Sequence, residues 1–398
     1  MLTGKHIVLG VTGSIAAYKM ANLASMLKKL HCDITVIMTE NATHFIHPIT
    51  FETLTGNKCL VDTFDRNFKY NVEHVSLAKQ TDLFLVAPAS ANVIGKIACG
   101  IADDMLTTTI MACTCKKLIA PAMNTNMYHN PIVQDNLKKL SSYGYEIIAP
   151  DNGYLACGDN GDGKLPSEET LLQYVLKEIS YEKDMQGLNV LVTAGPTMEK
   201  IDPVRFISNH STGKMGYAIA THCMRRGANV TLVSGKTNLP VPHFMNFVPI
   251  ISAQDMFEAV KEHADTQDII IKAAAVADYC PVNASDEKVK KKDGELSIAL
   301  KRTTDILKYL GEHRIENQFL CGFSMETENM IENSRKKLIQ KNVDMIAANN
   351  LKQRGAGFGT DTNVLTLITK DQVKELPLMD KNLVAKALID EIMKMRNA

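Results

Sequence analysis

The sequence has no excess of charge of either sign: 44 Lys and Arg stand against 44 Asp and Glu in 398 residues. That balance removes the general electrostatic support expected of a nucleic-acid-binding chain and favours small-molecule partners. CxxC pairs are also missing. The nine cysteines, at 32, 59, 99, 113, 115, 157, 223, 280 and 321, are odd in number and scattered, and Cys113-Thr114-Cys115 has the wrong spacing for a zinc knuckle. The pattern implies reduced thiols in a reducing compartment and no metal site. No apolar run approaches the roughly 20 residues that span a bilayer, so no membrane association is expected and the expected location is the cytoplasm. The opening HIVLGVTGSIAA is broken by Thr12, Gly13 and Ser14 and continues into an amphipathic pattern. It reads as strand, turn and helix, not as a signal peptide. Low-complexity stretches and short repeats are absent as well.

What is present is alternation. HIVLGV (6–11), ITVIM (34–38), LFLVA (83–87), KLIA (117–120) and EIIA (146–149) are short apolar strands, with helical patterns between most of them. The first of those helices places Ala17, Met20, Leu23, Ala24 and Leu27 on one face. Continuous apolarity within strands is what a parallel sheet covered on both faces requires, so the first half is a doubly wound α/β domain. After a helix at about 168–180 the stretch SYEKDMQG turns polar, and then the opening pattern recurs in NVLVTA (189–194), a Gly195-Pro196 turn, a helix over about 212–226 and NVTLVS (229–234). Further helices are expected at 253–263, 305–313, 329–342 and the C-terminus, with strands at 268–276, 319–324, 344–349 and 363–369. At this length two cores are expected. The domains are placed at 1–182 and 187–398, both Rossmann-like, the first flavodoxin-like and the second with a mixed sheet.

In the first half, VTGSIAAYK sets Gly13 and Ser14 where a strand becomes a helix, a geometry that offers backbone N–H groups to an anion. Taken alone the stretch leaves a phosphate site and an ordinary tight turn both open. APASANVIGKIACGIADDML (87–106) and APAMNTNMYHNP (120–131) follow the carboxyl ends of predicted strands, where ligands bind in open α/β sheets. His74 precedes the third strand, and Cys157 sits in YLACGDNGDGKLPS, a glycine-rich loop poor at burying anything. A reactive and a passive thiol are both compatible with that loop.

Over about residues 5–170 these segments resemble the flavin-containing cysteine decarboxylases, and the Cys157 stretch resembles the substrate flap of the phosphopantothenoylcysteine decarboxylases. The resemblance implies FMN held by Gly13, Ser14, Ile15, Thr39, Ser90, Asn92 and Ala122, and a carboxylate-bearing substrate bound by Asn124 and Met127. It also implies His74 as the active-site histidine and Cys157 as the proton donor. Tyr128 stands where some members have Trp, and Lys164 where many have Arg. FMN is the implied electron sink. Loss of carbon dioxide from an unactivated cysteine carboxylate leaves a poor carbanion, whereas oxidation of CH2–SH to a thioaldehyde lets the charge pass to sulfur.

The second half contains two phosphate-loop look-alikes. Gly213-Lys214 lacks the earlier glycine and is followed by Met215; SGKT (234–237) has Val230 at the first glycine position and Pro240 where a helix is needed. TAGPT, DPVR-ISN-S-GKMG, AAAVADY, EKVKKK and the GF-ET segment instead occur in one order, and from about 188 to 390 the chain resembles the phosphopantothenate–cysteine ligases, especially the bacterial bifunctional form. The resemblance implies that Asn209 stabilises an acyl-cytidylate, although a helix cap is also open to it. It further implies CTP bound by Lys272, Ala273, Ala274, Asp278, Lys288, Thr304, Asp305, Ile306, Leu307, Phe323, Lys337 and Lys341, with Mg2+ accompanying CTP. Lys337 and Lys341 share a helix face, which suits a phosphate clamp or a plain surface. GAGFG (355–359) reads as a loop, not a dinucleotide fingerprint.

Together these resemblances imply a bifunctional enzyme of coenzyme A biosynthesis. Its substrates are 4'-phosphopantothenate, cysteine and CTP, and its homo-oligomer has trimeric flavin domains and dimeric ligase domains, a combination that allows a dodecamer. A flavin prenyltransferase shares the first fold but explains neither Cys157 nor a fused ligase. A non-catalytic FMN-binding subunit is opposed by intact His74, Asn124 and Cys157.

Overall fold

The computed structural model describes residues 2–64, 73–290, 297–326, 329–350, 357 and 359–397. The chain divides into two compact units, Met1–Glu182 and Lys183–Ala398.

Unit 1 is built on a five-stranded parallel sheet of order β2-β1-β3-β4-β5, with β1 His6–Val11, β2 Asp33–Met38, β3 Leu83–Ala89, β4 Lys116–Pro121 and β5 Glu146–Ile147. This is the flavodoxin-like order, in which ligands gather at the carboxyl ends near the switch between β1 and β3. The apolar strands are buried on both faces. Ile7, Leu9 and Val11 of β1 pack with Leu23, Phe51 and Leu171 on one side, while Val8 packs with Phe84, Ile94 and Leu137 on the other. Each such side chain contributes roughly 1.5–3 kcal/mol on burial. EIIA yields only the two residues of β5. The glycine-rich loop is in fact an antiparallel ribbon, β6 Asp151–Tyr154 against β7 Asn160–Lys164, with a register shift at Asp151/Asn152.

Unit 2 begins with β8 Asn189–Ala194 and a ribbon of β9 Met198–Lys200 with β10 Phe206–Ser208. It continues through β11 Asn229–Ser234, β12 Asn246–Pro249 and β13 Ile269–Lys272. A second ribbon pairs β14 Tyr279–Pro281 with β15 Leu300–Arg302, and β16 Phe319–Glu326 and β17 Met345–Asn350 follow. Last come β18 Thr362–Asn363, β19 Leu365–Ile368, β20 Val373–Glu375 and β21 Met379–Asp380. The main sheet has order β12-β11-β8-β13-β16-β17-β19-β20; it is parallel as far as β17, after which β19 and β20 join antiparallel. Helices Lys214–Arg225 and Lys381–Arg396 cover one face, and Ala253–Ala264, Ile306–Glu312 and Met330–Gln340 the other.

Two expected strands end early for local reasons. After Lys272 the backbone leaves the sheet: Ala274 N–H donates to Thr193 Oγ1 at 3.1 Å and Ala275 N–H to the Gly195 carbonyl at 3.0 Å. The 363–369 strand is interrupted where the Asn363 side chain accepts from Val364 N–H at 3.0 Å, and Asn363 itself pairs with Met379 instead.

Candidate functional site

In unit 1 a cavity of about 650 Å³ opens at the carboxyl edge of the sheet. Its lining brings together Gly13, Ser14, Ile15, Ser90, Ala122, Asn124, Met127 and Cys157, which lie up to 144 residues apart (157 − 13). Gly13 has no room for a side chain, because a Cβ there would lie 2.7 Å from Asn41 Cβ. Ser14 caps the 3-10 turn Ile15–Tyr18, its hydroxyl accepting from Ala16 N–H at 3.4 Å. Thr12, buried at the end of β1, ties the strands together: its hydroxyl donates to the Pro88 carbonyl at 2.7 Å and accepts from Ser90 N–H at 2.9 Å. Three expected residues lie outside this lining. Asn92 lines an adjoining hollow, which shares Ala91 and Met127 with this cavity, together with Lys96, Ile132 and Asn136. His74 is half-buried in helix Glu73–Gln80. Thr39 follows β2 and precedes the helical turn Glu40–Thr43, and its hydroxyl is buried without a hydrogen-bond partner.

The β6–β7 ribbon sits on the PAMN segment. Met123 N–H donates to the Gly163 carbonyl at 3.0 Å, and Gly163, at φ +119°, comes so near the Met123 carbonyl that any Cβ would collide. The ribbon thereby carries Cys157 to Asn124, whose Nδ2 donates to Cys157 Sγ at 3.4 Å. Ribbon and PAMN segment meet again where His129 Nε2 lies 3.0 Å from Asp162 Oδ2.

Unit 2 holds a polar cavity of about 360 Å³ at its own carboxyl edge. Asn209, Lys272, Ala273, Ala274, Asp278, Phe323, Lys337 and Lys341 all line it. Asn209 is not a helix cap: Gly213 takes that place, and Asn209 Nδ2 donates across to the Ala275 carbonyl at 2.9 Å. Asp305 lies outside the lining but pairs with Lys341 at 3.0 Å and caps helix Ile306–Glu312. Ile306 and Leu307 are core residues of that helix, so only their backbone is free for a ligand, and Thr304 before them is exposed. Lys288 is exposed and not in the lining. The backbone beside it is clasped by the DPVR motif, since Val289 N–H donates to Asp202 Oδ2 at 3.2 Å and Arg205 Nη2 donates to the Val289 carbonyl at 2.9 Å. The Arg205 guanidinium holds the Asp202 carboxyl well below the usual range. Lys291 and Lys292 of KVKKK lie outside the described residues, as does most of GAGFG.

The family model for the DNA/pantothenate metabolism flavoprotein C-terminal domain matches residues 185–395, and the flavoprotein family matches residues 1–180. The coenzyme A biosynthesis bifunctional protein CoaBC of Bacillus subtilis is 48% identical over 396 residues, 98% of this chain and 97% of that protein. This chain belongs to that family. The protein of the same name from Haemophilus influenzae is 42% identical over 98% of each chain. A crystal structure of the C-terminal domain of such a protein is 46% identical, with 53% of this chain and 96% of that one covered at a TM-score of 0.46.

The second cavity also contains residues the sequence did not single out: Lys214, Asn349, Asn363 and Lys381. Asn349 Oδ1 is buried without a partner. Lys381 is buried, with Nζ donating to the carbonyls of Gly357 at 3.2 Å and Thr360 at 2.5 Å. One signal was available: Lys381 opens a helix, where the macrodipole disfavours a cation.

Burial, then the Lys341 ammonium, pushes the Lys272 ammonium down to about 8, against the pull of Asp305 and Asp278. A group depressed in this way is half charged near pH 8, and a phosphate brought beside it restores the charged form. Nucleotide binding is therefore expected to take up about half a proton at pH 8 and almost none at pH 6.5, where the amine is already charged. Calorimetry of CTP binding in buffers of different ionisation enthalpy reads this directly. Equal enthalpies at pH 8 in all buffers would remove Lys272 from contact with the phosphates.

Proposed function

We propose that the chain is a bifunctional enzyme of coenzyme A biosynthesis, with unit 2 joining cysteine to 4'-phosphopantothenate and unit 1 decarboxylating the product to 4'-phosphopantetheine. The observation that carries the reading is the pair of cavities, each at the carboxyl edge of its own sheet and each lined by a motif set of one family.

The first cavity suits FMN. Its volume, the strand-to-helix turn at Gly13 and Ser14 and the unpartnered Thr39 hydroxyl just after β2 fit a phosphate-bearing flavin held by the 13–15 turn, Ser90 and Ala122. When bound, FMN supplies the electron sink. The protein's own task is placement: Asn124 and Met127 hold the substrate carboxylate end, and Cys157 delivers the last proton. His74 lies outside the lining of its own chain's cavity, which supports a site completed by a neighbouring subunit of a homo-oligomer. His74→Asn is expected to keep its FMN yet reduce it at least on the order of 10²-fold more slowly with substrate. Anaerobic single turnover measures this, and a wild-type rate would leave His74 a structural residue.

In unit 2 the triphosphate lies against Lys272, Lys337 and Lys341, and Mg2+ arrives on it, needing only one or two protein carboxylates. The phosphopantothenate carboxylate attacks the α-phosphorus and pyrophosphate leaves. The cysteine amine then displaces CMP beside Asn209. Among the described residues no helix is long and apolar enough to cross a membrane. The deciding experiment incubates the full chain with phosphopantothenate, cysteine, Mg2+ and CTP or ATP, following both products by mass spectrometry. Both products are expected with CTP, which should be preferred on the order of 10⁴-fold if the base is read by buried polar groups. Absence of both products with either nucleotide would overturn the assignment.

A further inference from the structure

The Cys157 thiol is hydrogen-bonded twice. Its Sγ donates to Asp159 Oδ2 at 3.4 Å, while Asn124 Nδ2 donates to Cys157 Sγ at 3.4 Å and to Asp159 Oδ2 at 3.2 Å. The three groups form a closed triangle. The Asp159 carbonyl fixes the turn by accepting from Leu155 N–H at 2.8 Å. Cys157 and Asn124 line the cavity, whereas Asp159 is exposed and not part of the lining.

This is the reverse of a nucleophilic cysteine's setting, where a cation stabilises the thiolate. A carboxylate bonds only to the S–H form and repels the thiolate once the proton has gone. We propose that Asp159 is a positioning residue of the decarboxylase site that orients the Cys157 S–H through their hydrogen bond and passes a solvent proton back to sulfur after each turnover. The inference rests on Cys157 being the proton donor. In the final step the S–H bond breaks as a C–H bond forms on the substrate, and the electron pair stays on sulfur. The thiolate then faces a like charge 3.4 Å away. A hydrated solvent proton adds to the carboxylate, the carboxyl O–H bond then breaks as S–H re-forms, and the carboxylate is regenerated with one solvent proton consumed per cycle.

The test compares Asp159→Asn and Asp159→Glu with the wild-type holoenzyme on phosphopantothenoylcysteine. Retained FMN absorbance shows that unit 1 is folded. Asp159→Asn is expected to reduce its flavin and release carbon dioxide at the wild-type rate in the first turnover. Its output of saturated product should fall on the order of 10²-fold with KM unchanged, and the oxidised enethiol should appear in its place. Asp159→Glu, which keeps the carboxylate, is expected to recover most of that output. Normal product from Asp159→Asn overturns the proposal, as does a glutamate variant no better than the asparagine one, which would leave a merely structural contact. Wild-type protein that releases no carbon dioxide overturns the decarboxylase reading itself, and the role of Asp159 with it.

Discussion

Cys157→Ser is expected to bind FMN, release carbon dioxide and then stop, so that the oxidised enethiol accumulates while saturated thiol product falls at least on the order of 10²-fold. The substitution keeps the size of the side chain and its ability to donate to Asp159, so the triangle with Asn124 is preserved. What it removes is acidity, because an alcohol is a far weaker proton donor than a thiol. The earlier steps use the cofactor turn at Gly13 and Ser14, which the substitution does not touch, and the Asn124 amide, whose bond to residue 157 the serine hydroxyl can still accept. Mass spectrometry of the quenched reaction separates the two products by two hydrogens. Normal output of the saturated product would take Cys157 out of the protonation step and leave its exposed position unexplained.

The two sheets were legible because parallel strands buried on both faces carry an unambiguous signal: the continuous run HIVLGV becomes β1 with all but its first residue buried. The ribbons were not. The strand Asn160–Lys164 reads NGDGK, with no apolar alternation, and its pairing with Asp151–Tyr154 depends on backbone hydrogen bonds and on the close seat of Gly163 against Met123. Nothing local in such a segment distinguishes ribbon from loop. The reading of 268–276 as one strand failed for a related reason. Small apolar residues suit a buried strand and a ligand-lining turn equally well, and the hydrogen bonds to Thr193 and Gly195 that decide between them come from about 80 residues away.

The sites divide along the same line. Residues at strand ends, such as Ser90, Ala122, Lys272 and Phe323, were implied by the family resemblance, and the structure sets them in the linings of the two cavities. Lys381 and Asn363 were not singled out, because they reach the second cavity only through the return of the chain after β17. Lys337 and Lys341 illustrate the intermediate case. Their i, i+4 spacing left a clamp and a solvated face equally open, and in the structure both line the second cavity.

Asn209→Asp is expected to lower ligation on the order of 10²–10³-fold while leaving decarboxylation of supplied phosphopantothenoylcysteine unchanged. The amide donates 2.9 Å to the Ala275 carbonyl, at the point where Ala273–Val276 leaves the sheet to line the cavity. A carboxylate there cannot donate, and it places negative charge beside both that carbonyl and any developing charge on the acyl group. Fixed donors aimed at developing charge are worth far more in a partly enclosed site than in water, which sets the size of the expected loss. The intact decarboxylation serves as an internal control for folding, and Asn209→Ala separates the lost donor from the added charge. If both variants ligate at the wild-type rate, the bond to Ala275 is all that Asn209 contributes, and stabilisation of the acyl-cytidylate must be sought instead among Lys214, Asn349 and the backbone of the Gly213–Gly216 turn.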